Sequence, residues 1–338
     1  MKKITYLALL LVLFMSATLL SGCKENDVES MPKVRVSEVI HSVFYAPQYV
    51  ALHKGYFEDE GLDVELAIAW GADRGAAALL SNSADIALFG PEAAVYIARE
   101  QTDTKLVGFA QLTQKDGSFF LAREPMPEFE WTDVKGKTII GGRPGGVPQM
   151  VQEYVLYHND VVPHHDVEII QNIDLGATAQ AFENDVGDFV QLFEPGASIV
   201  ENTGSGHVVA SFGEAGGDIP YTVYHATDSY IEENPDIIQK FTNAIYRAQI
   251  WVDNHSAEEI AEVIQPSFAE TDYDILVSSV ERYKKQDTWS KDPILRKESL
   301  DKLQEICIFS EELDKKVPYE EIVKTKFAEE AVKSINID

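Results

Sequence analysis

From residue 33 onward, short stretches of alternating character trade places with stretches of helical period. Residues 34–39 alternate and read as a strand. Pro47 then opens a helical stretch over 48–54 that Gly55 closes, with proline inside the start and glycine past the end. Residues 63–68 form a second alternating run, 72–80 an Ala/Leu-rich helix, 85–89 a third strand, and Pro91 starts a helix over 92–99. This alternation predicts a mostly parallel sheet with helices on both faces. After a proline-broken connector at 123–127, the pattern begins again. Strands are expected at 137–140, 167–170 and 188–192, with a helix over 148–158 between the first two. Residues 219–225 read as a strand returning to the first unit, which places hinge strands near 117–122 and 220–225. The last third is helical. Asn234 and Pro235 open a long helix whose Ile237, Ile238, Phe241, Ile245, Ala248 and Val252 keep a 3.6-residue period. Ser256 and Glu259 form a capping box, and Pro318 opens a final helix. These C-terminal helices read as a buttress of the first unit.

The N-terminus changes the picture from fold to address. Lys2 and Lys3 precede an apolar core over 7–15 and the small-residue site Leu20-Ser21-Gly22-Cys23. An apolar run this short, so flanked, is a secretory signal rather than a spanning helix. Leu-Ser-Gly-Cys resembles the bacterial lipobox, in which cleavage before the cysteine leaves it N-terminal and lipidated. The expected organisation is therefore a signal peptide over 1–22 and a lipidated tether over 23–32. Lobe I then takes 33–120 plus 222–338, and lobe II takes 121–221. The predicted location is the extracytoplasmic face of the cell membrane, held by the lipid on Cys23. A formal charge of −28 excludes polynucleotide binding, because so acidic a surface repels phosphate backbones. The two cysteines are Cys23 and Cys307. With Cys23 acylated, Cys307 has no intrachain partner, and its apolar neighbours mark it as a buried thiol.

Three blocks in order carry a family resemblance. The first runs from Tyr49 to Val64 and contains His53-Lys54-Gly55-Tyr56-Phe57 and Glu60-Gly61-Leu62. The second is Leu79-Leu80-Ser81-Asn82-Ser83-Ala84-Asp85-Ile86-Ala87 followed by Gly90-Pro91-Glu92. The third is Asp133-Val134-Lys135-Gly136-Lys137 followed by Gly141-Gly142. Together they resemble the solute-binding proteins of nitrate, taurine, alkanesulfonate and thiamine-pyrimidine importers, over about residues 33–241. The resemblance implies an α/β fold of two Rossmann-like lobes on a two-strand hinge, the type II periplasmic binding protein arrangement, with C-terminal helices. It also implies a monomer without a cofactor, which captures a small molecule between its lobes and delivers it to the permease and ATPase subunits of an ABC importer.

Ligands of open parallel sheets bind outside the carboxyl ends of the strands. That rule selects the loops 40–46, 70–74 and 90–92 in the first lobe, and 141–147, 171–176 and 193–196 in the second, with Phe120 and Tyr224 on the hinge. Phe44, Tyr45 and Trp70 suit stacking on a flat ligand, although each can equally pack beneath its loop. Gly90 lets backbone approach closely, and the helix behind it aims N–H groups and Glu92 at the cleft. The loop Gly141-Gly142-Arg143-Pro144-Gly145-Gly146 lacks the Gly-Lys-Ser/Thr ending of a phosphate loop and the spacing of a dinucleotide fingerprint. It reads either as a nest of backbone donors around Gly145 and Gly146, with Arg143 as an anion partner, or as a tight turn. Glu194 is placed to accept from the amino group of a heterocycle, or to be a solvated turn residue. The resemblance adds that thiamine-pyrimidine binders use such an acidic contact. Their Asp-Trp-x-Pro-Asn opening is absent here, where the first loop reads Glu38-Val39-Ile40-His41-Ser42.

These residues favour a planar nitrogen heterocycle, such as a thiamine-precursor pyrimidine, with an aliphatic sulfonate, taurine or nitrate as the alternative. Catalytic and metal residues are not expected. His164 and His165 are adjacent, so their side chains point apart, and no further ligand pair accompanies them. The sequence has no Gly-x-Ser-x-Gly elbow. A remote enzyme reading, like the relative of this fold that makes the thiamine pyrimidine, would need a Cys-rich segment that this chain lacks.

Overall fold

Ten strands form two five-stranded sheets, and each sheet repeats the same logic. A computed structural model describes residues 31–100 and 103–335. The signal segment, Cys23 and most of the tether lie outside the described residues. The strands are β1 (Lys33–Glu38), β2 (Asp63–Ile68), β3 (Ile86–Phe89), β4 (Leu106–Thr113), β5 (Ser118–Ala122), β6 (Thr138–Ile140), β7 (Glu168–Ile170), β8 (Phe189–Phe193), β9 (His207–Ser211) and β10 (Thr222–Thr227). The first sheet has the order β2-β1-β3-β10-β4 and the second β7-β6-β8-β5-β9. In each, four strands run in one direction and the fifth runs antiparallel to both its neighbours: β10 between β3 and β4, and β5 between β8 and β9. The two-lobed α/β expectation holds, with sheets that are mixed rather than parallel.

Burial follows position in the sheet. β3, β4, β5 and β10 are buried along their whole length, as strands covered on both faces must be, whereas the edge strand β2 is largely exposed. Strand β4 escaped the sequence reading for that reason: Leu106–Thr113 shows a buried run rather than an alternation. The chain passes between the sheets twice, at 114–117 and at 212–221. The stretches expected as hinge strands are members of the sheets themselves. Residues 118–120, grouped with the first lobe in the sequence reading, pair with β8 and β9 of the second sheet.

Of the stripe its period predicted, the helix Pro235–Asn254 buries Ile238, Phe241, Ile245, Ala248 and Val252, packing on the helix Ala46–His53, and leaves Ile237 half-buried. The capping box is formed: Glu259 N donates to Ser256 Oγ at 3.2 Å, and Ser256 N donates to Glu259 Oε2 at 2.8 Å. The final helix is split into Tyr319–Ile322 and Lys326–Ser334. Between them Val323 bridges to Gly108 beside β4, and Lys324 N donates to Gly108 O at 3.0 Å, which holds the chain extended there. The C-terminal helices are more than a buttress of the first lobe. Tyr273–Lys285 packs on Gly196–Asn202, and Lys297–Phe309 packs on both Glu92–Arg99 and Val147–His158.

Candidate ligand-binding site

The carboxyl ends of β1, β3, β6 and β8 converge on a cavity of about 430 Å³ between the two sheets. Its first-lobe wall carries Tyr45, Gly90, Glu92 and Tyr96, and its second-lobe wall carries Arg143, Gly145, Gly146, Val147 and Phe193. Tyr221, from the returning crossing, forms part of the wall as well. Of the residues singled out from sequence, the structure gathers Tyr45, Gly90, Glu92, Arg143, Gly145 and Gly146 on this cavity.

Glu92 is the first residue of the helix Glu92–Arg99 and is 3% exposed. Burial raises its carboxyl to about 8, against the opposing pull of the backbone N–H groups of Glu92, Ala93 and, from the other lobe, Val147. Its Oε2 has no hydrogen-bond partner. A Cβ on Gly90 would lie 2.0 Å from Glu92 Oε2, so any side chain there would have to displace the carboxyl. In the glycine-rich loop the constraint is stricter, because a Cβ on Gly142 would lie 2.6 Å from the backbone nitrogen of Gln149. That close approach lets the loop turn directly into the helix Val147–His158. Gly145, at φ +79°, donates its N–H to Gln149 Oε1 at 3.0 Å and accepts from Tyr96 OH at 3.2 Å. Arg143 reaches across the seam to Asp73 Oδ1 at 3.2 Å, so its charge is already countered.

Five sequence candidates do not line the cavity. Phe44 is fully buried one layer behind, among Tyr45, Phe193, Tyr221 and Tyr283, with its ring pressed on Gly117. Phe120 sits on the opposite face of β5 from Phe119, as period-2 alternation demands, and stacks on Phe189 at 4.9 Å. Tyr224 packs on Phe241 and donates its hydroxyl to Gln48 Oε1 at 3.0 Å, inside the first lobe. Trp70 adopts φ +61° at the rim, 46% exposed, with its ring over Gly176 of the other lobe.

Glu194 is the largest departure. Its side chain is buried and takes hydrogen bonds from Ser198 N, Ser198 Oγ and Arg282 Nη1, at 2.9, 2.9 and 2.8 Å. Ser279 Oγ adds a fourth at 3.3 Å. These partners occupy its lone pairs, so it holds the helix Gly196–Asn202 to the helix Tyr273–Lys285 and does not line the cavity.

Tyr96 and Tyr221 were missed. Tyr96 follows Glu92 by four residues on one helix, a spacing that places both on one face and could have revealed it. Tyr221 precedes β10 and carried no local signal; its buried hydroxyl has no hydrogen-bond partner. Cys307 is buried, and burial pushes its thiol up to about 12. His164 and His165 pair with Glu153 and Asp166, each at 2.9 Å. Among the described residues no cluster of His, Cys, Asp and Glu is placed to hold a metal, and no helix is long and apolar enough to cross a membrane.

Comparison with known proteins places this geometry in context. The family profile described as "NMT1/THI5 like" matches residues 43–259. The YtlA protein of Bacillus subtilis (strain 168), whose binding role is itself only proposed, is 49% identical over 310 residues, 92% of each chain. Among solved structures, the alkanesulfonate-binding protein SsuA from Xanthomonas axonopodis pv. citri, bound to MOPS, superposes with a TM-score of 0.70 at 13% identity. That match covers 87% of this chain and 98% of the other. The periplasmic nitrate-binding protein NrtA from Synechocystis PCC 6803 gives a TM-score of 0.68 at 16% identity, over 92% of this chain and 90% of its own. The fold is that of the periplasmic binding proteins, and by its profile match and its half-identical relative the chain belongs to the NMT1/THI5-like family.

Proposed function

We propose that this chain is the solute-binding component of an ABC-type importer and that its ligand is a planar nitrogen heterocycle, such as an aminopyrimidine. One observation carries the ligand class. The cavity of about 430 Å³ is walled by the rings of Tyr45, Tyr96, Phe193 and Tyr221, and its one basic side chain, Arg143, is engaged by Asp73. Such a volume suits a ring compound, and aromatic walls contribute through stacking. A bare nitrate would leave most of it unfilled, and the one basic side chain on the wall, Arg143, lies at the rim beside Asp73. The buried Cys307 is a poor nucleophile at this pKa, in keeping with capture without turnover.

A second reading rests on the donors. The N-termini of Glu92–Arg99 and Val147–His158 both point into the cavity, a setting that suits a sulfonate or nitrate oxygen. The alkanesulfonate- and nitrate-binding proteins of the same fold favour it. Calorimetry separates the two. We expect 4-aminopyrimidine to bind, taurine, methanesulfonate and nitrate to fail, and Tyr45→Ala to weaken ring binding by about 1 kcal/mol. Micromolar binding of taurine or nitrate, with none of the pyrimidine, would transfer the assignment to the anions.

The location follows from Cys23. A lipid on this cysteine holds a monomeric body at the outer face of the membrane, next to the permease it serves. Cys23→Ala is expected to move the protein from the membrane pellet to the soluble fraction, or to leave it unprocessed. Normal processing with unchanged membrane association would rule the anchor out.

A further inference from the structure

Glu92 is a buried carboxyl with no cation paired to it among the described residues. Its neighbours come from four elements: Tyr45 from the turn Val43–Tyr45, Tyr96 from its own helix, Tyr221 from the crossing before β10, and Cys307 from the helix Lys297–Phe309. Each of these is neutral when protonated and becomes an anion when it titrates. The helix Val147–His158 offers only a backbone N–H, and Arg143, the one basic residue of the wall, is committed to Asp73. A carboxylate left here would be an uncompensated buried charge, which is costly. The backbone donors of two lobes meet this carboxyl, yet Oε2 stays unpartnered on a group that lines the cavity.

We infer that Glu92 is a specificity-determining residue that acts as a neutral acid, donating the proton on Oε2 to an acceptor atom of an uncharged ligand edge. An aminopyrimidine edge fits this pairing. The ring nitrogen accepts from the carboxyl O–H, while a carboxyl oxygen accepts from the exocyclic amino group. A carboxylic acid held neutral at pH 7 so that it can donate is a recognised use of a burial-raised pKa. The inference rests on the reading of this cavity as the ligand site and adds which group reads the ligand and in which ionisation state.

The pH dependence has a definite sign. The binding-competent form of Glu92 is protonated, so affinity for a ligand that is itself uncharged is flat up to about pH 8 and falls about tenfold per pH unit above it. Glutamine reproduces the shape and keeps a donor, so Glu92→Gln should bind within about threefold of wild type at pH 7 and lose the alkaline fall. Two readouts on the full chain test this. Infrared difference spectra of wild type against Glu92→Gln should show the carbonyl band of a neutral carboxylic acid at pH 6.5 that vanishes by pH 9.5. Calorimetry with 4-aminopyrimidine and with methanesulfonate supplies the binding profile. Absence of the band at pH 6.5 overturns the inference whatever binds. So does a loss of more than tenfold in Glu92→Gln, or an affinity that rises through pH 8, since both mark an ionised acceptor. If methanesulfonate alone binds, the role of Glu92 toward an uncharged ligand and the heterocycle reading fall together. If neither probe binds, the recognition role is overturned along with that reading.

Discussion

Arg282→Met is expected to lower the unfolding free energy by about 3–5 kcal/mol, because it strands the Glu194 carboxylate in the interior. The side chain of Glu194 is fully buried and Arg282 is the one basic group that reaches it, at 2.8 Å. The same guanidinium also holds Glu201. Removing one partner of a buried pair costs far more than the pair is worth, since the remaining charge has no water to return to. Glu194→Gln keeps one acceptor oxygen, enough for Ser198 N, and leaves a partly exposed arginine behind, so its cost should be on the order of 1 kcal/mol. Urea titration of both variants reads the contrast as a difference in midpoint. Equal losses, or a loss below about 1 kcal/mol for Arg282→Met, would show that Glu194 sheds its charge or reaches solvent. Ligand affinity in Glu194→Gln should not change, because this residue lies off the cavity wall.

The other large effect belongs to Phe44. This ring is fully buried where the first crossing meets both sheets, within 5.6 Å, centroid to centroid, of Tyr45, Phe193, Tyr221 and Tyr283. Phe44→Ala should cost about 3–5 kcal/mol, the transfer of the ring plus the void left behind. The void adjoins Tyr221, so the variant should weaken ligand capture as well. Phe44→Leu, which keeps most of the volume, should recover the greater part of both. Thermal unfolding with and without ligand checks this; a variant as stable as wild type would mean that the surrounding rings collapse into the space.

What could be read ahead of the structure divides along a physical line. Elements with a period were legible. The strand Asp63–Ile68 and the helices Ala72–Leu80 and Glu92–Arg99 begin and end where alternation, proline and glycine place them. Strands covered on both faces have no alternation to read, which is why Leu106–Thr113 was missed. At the site, loops were easier than side chains. The rule that ligands lie past the carboxyl ends of strands chose the loops of Gly90 and Gly145, because topology alone fixes them. Whether Tyr45 or Phe44 turns toward the cavity depends on partners distant in sequence. Glu194 is the clearest case, since Arg282, 88 residues away, takes its carboxylate. A carboxylate at a strand end looks the same in sequence whether it meets a ligand or an arginine.

The hydroxyl of Tyr283 donates to Gly117 O at 2.8 Å and accepts from Glu194 N at 3.0 Å. One side chain of a C-terminal helix therefore joins the first crossing to the end of β8 in the second sheet. A hydroxyl has a single proton, so the bond to Gly117 admits no second acceptor without being broken. A rotation of one sheet against the other about an axis close to this tyrosine would leave both bonds intact. The lever arm then grows with distance from the axis and is longest at the rim, where Trp70 lies over Gly176 and Arg143 reaches Asp73. Those rim contacts are exposed and weakly held, so they separate at small cost while the buried bonds at the axis stay intact. On that geometry the C-terminal helices would set where the molecule opens, although they contribute no residue to the cavity wall.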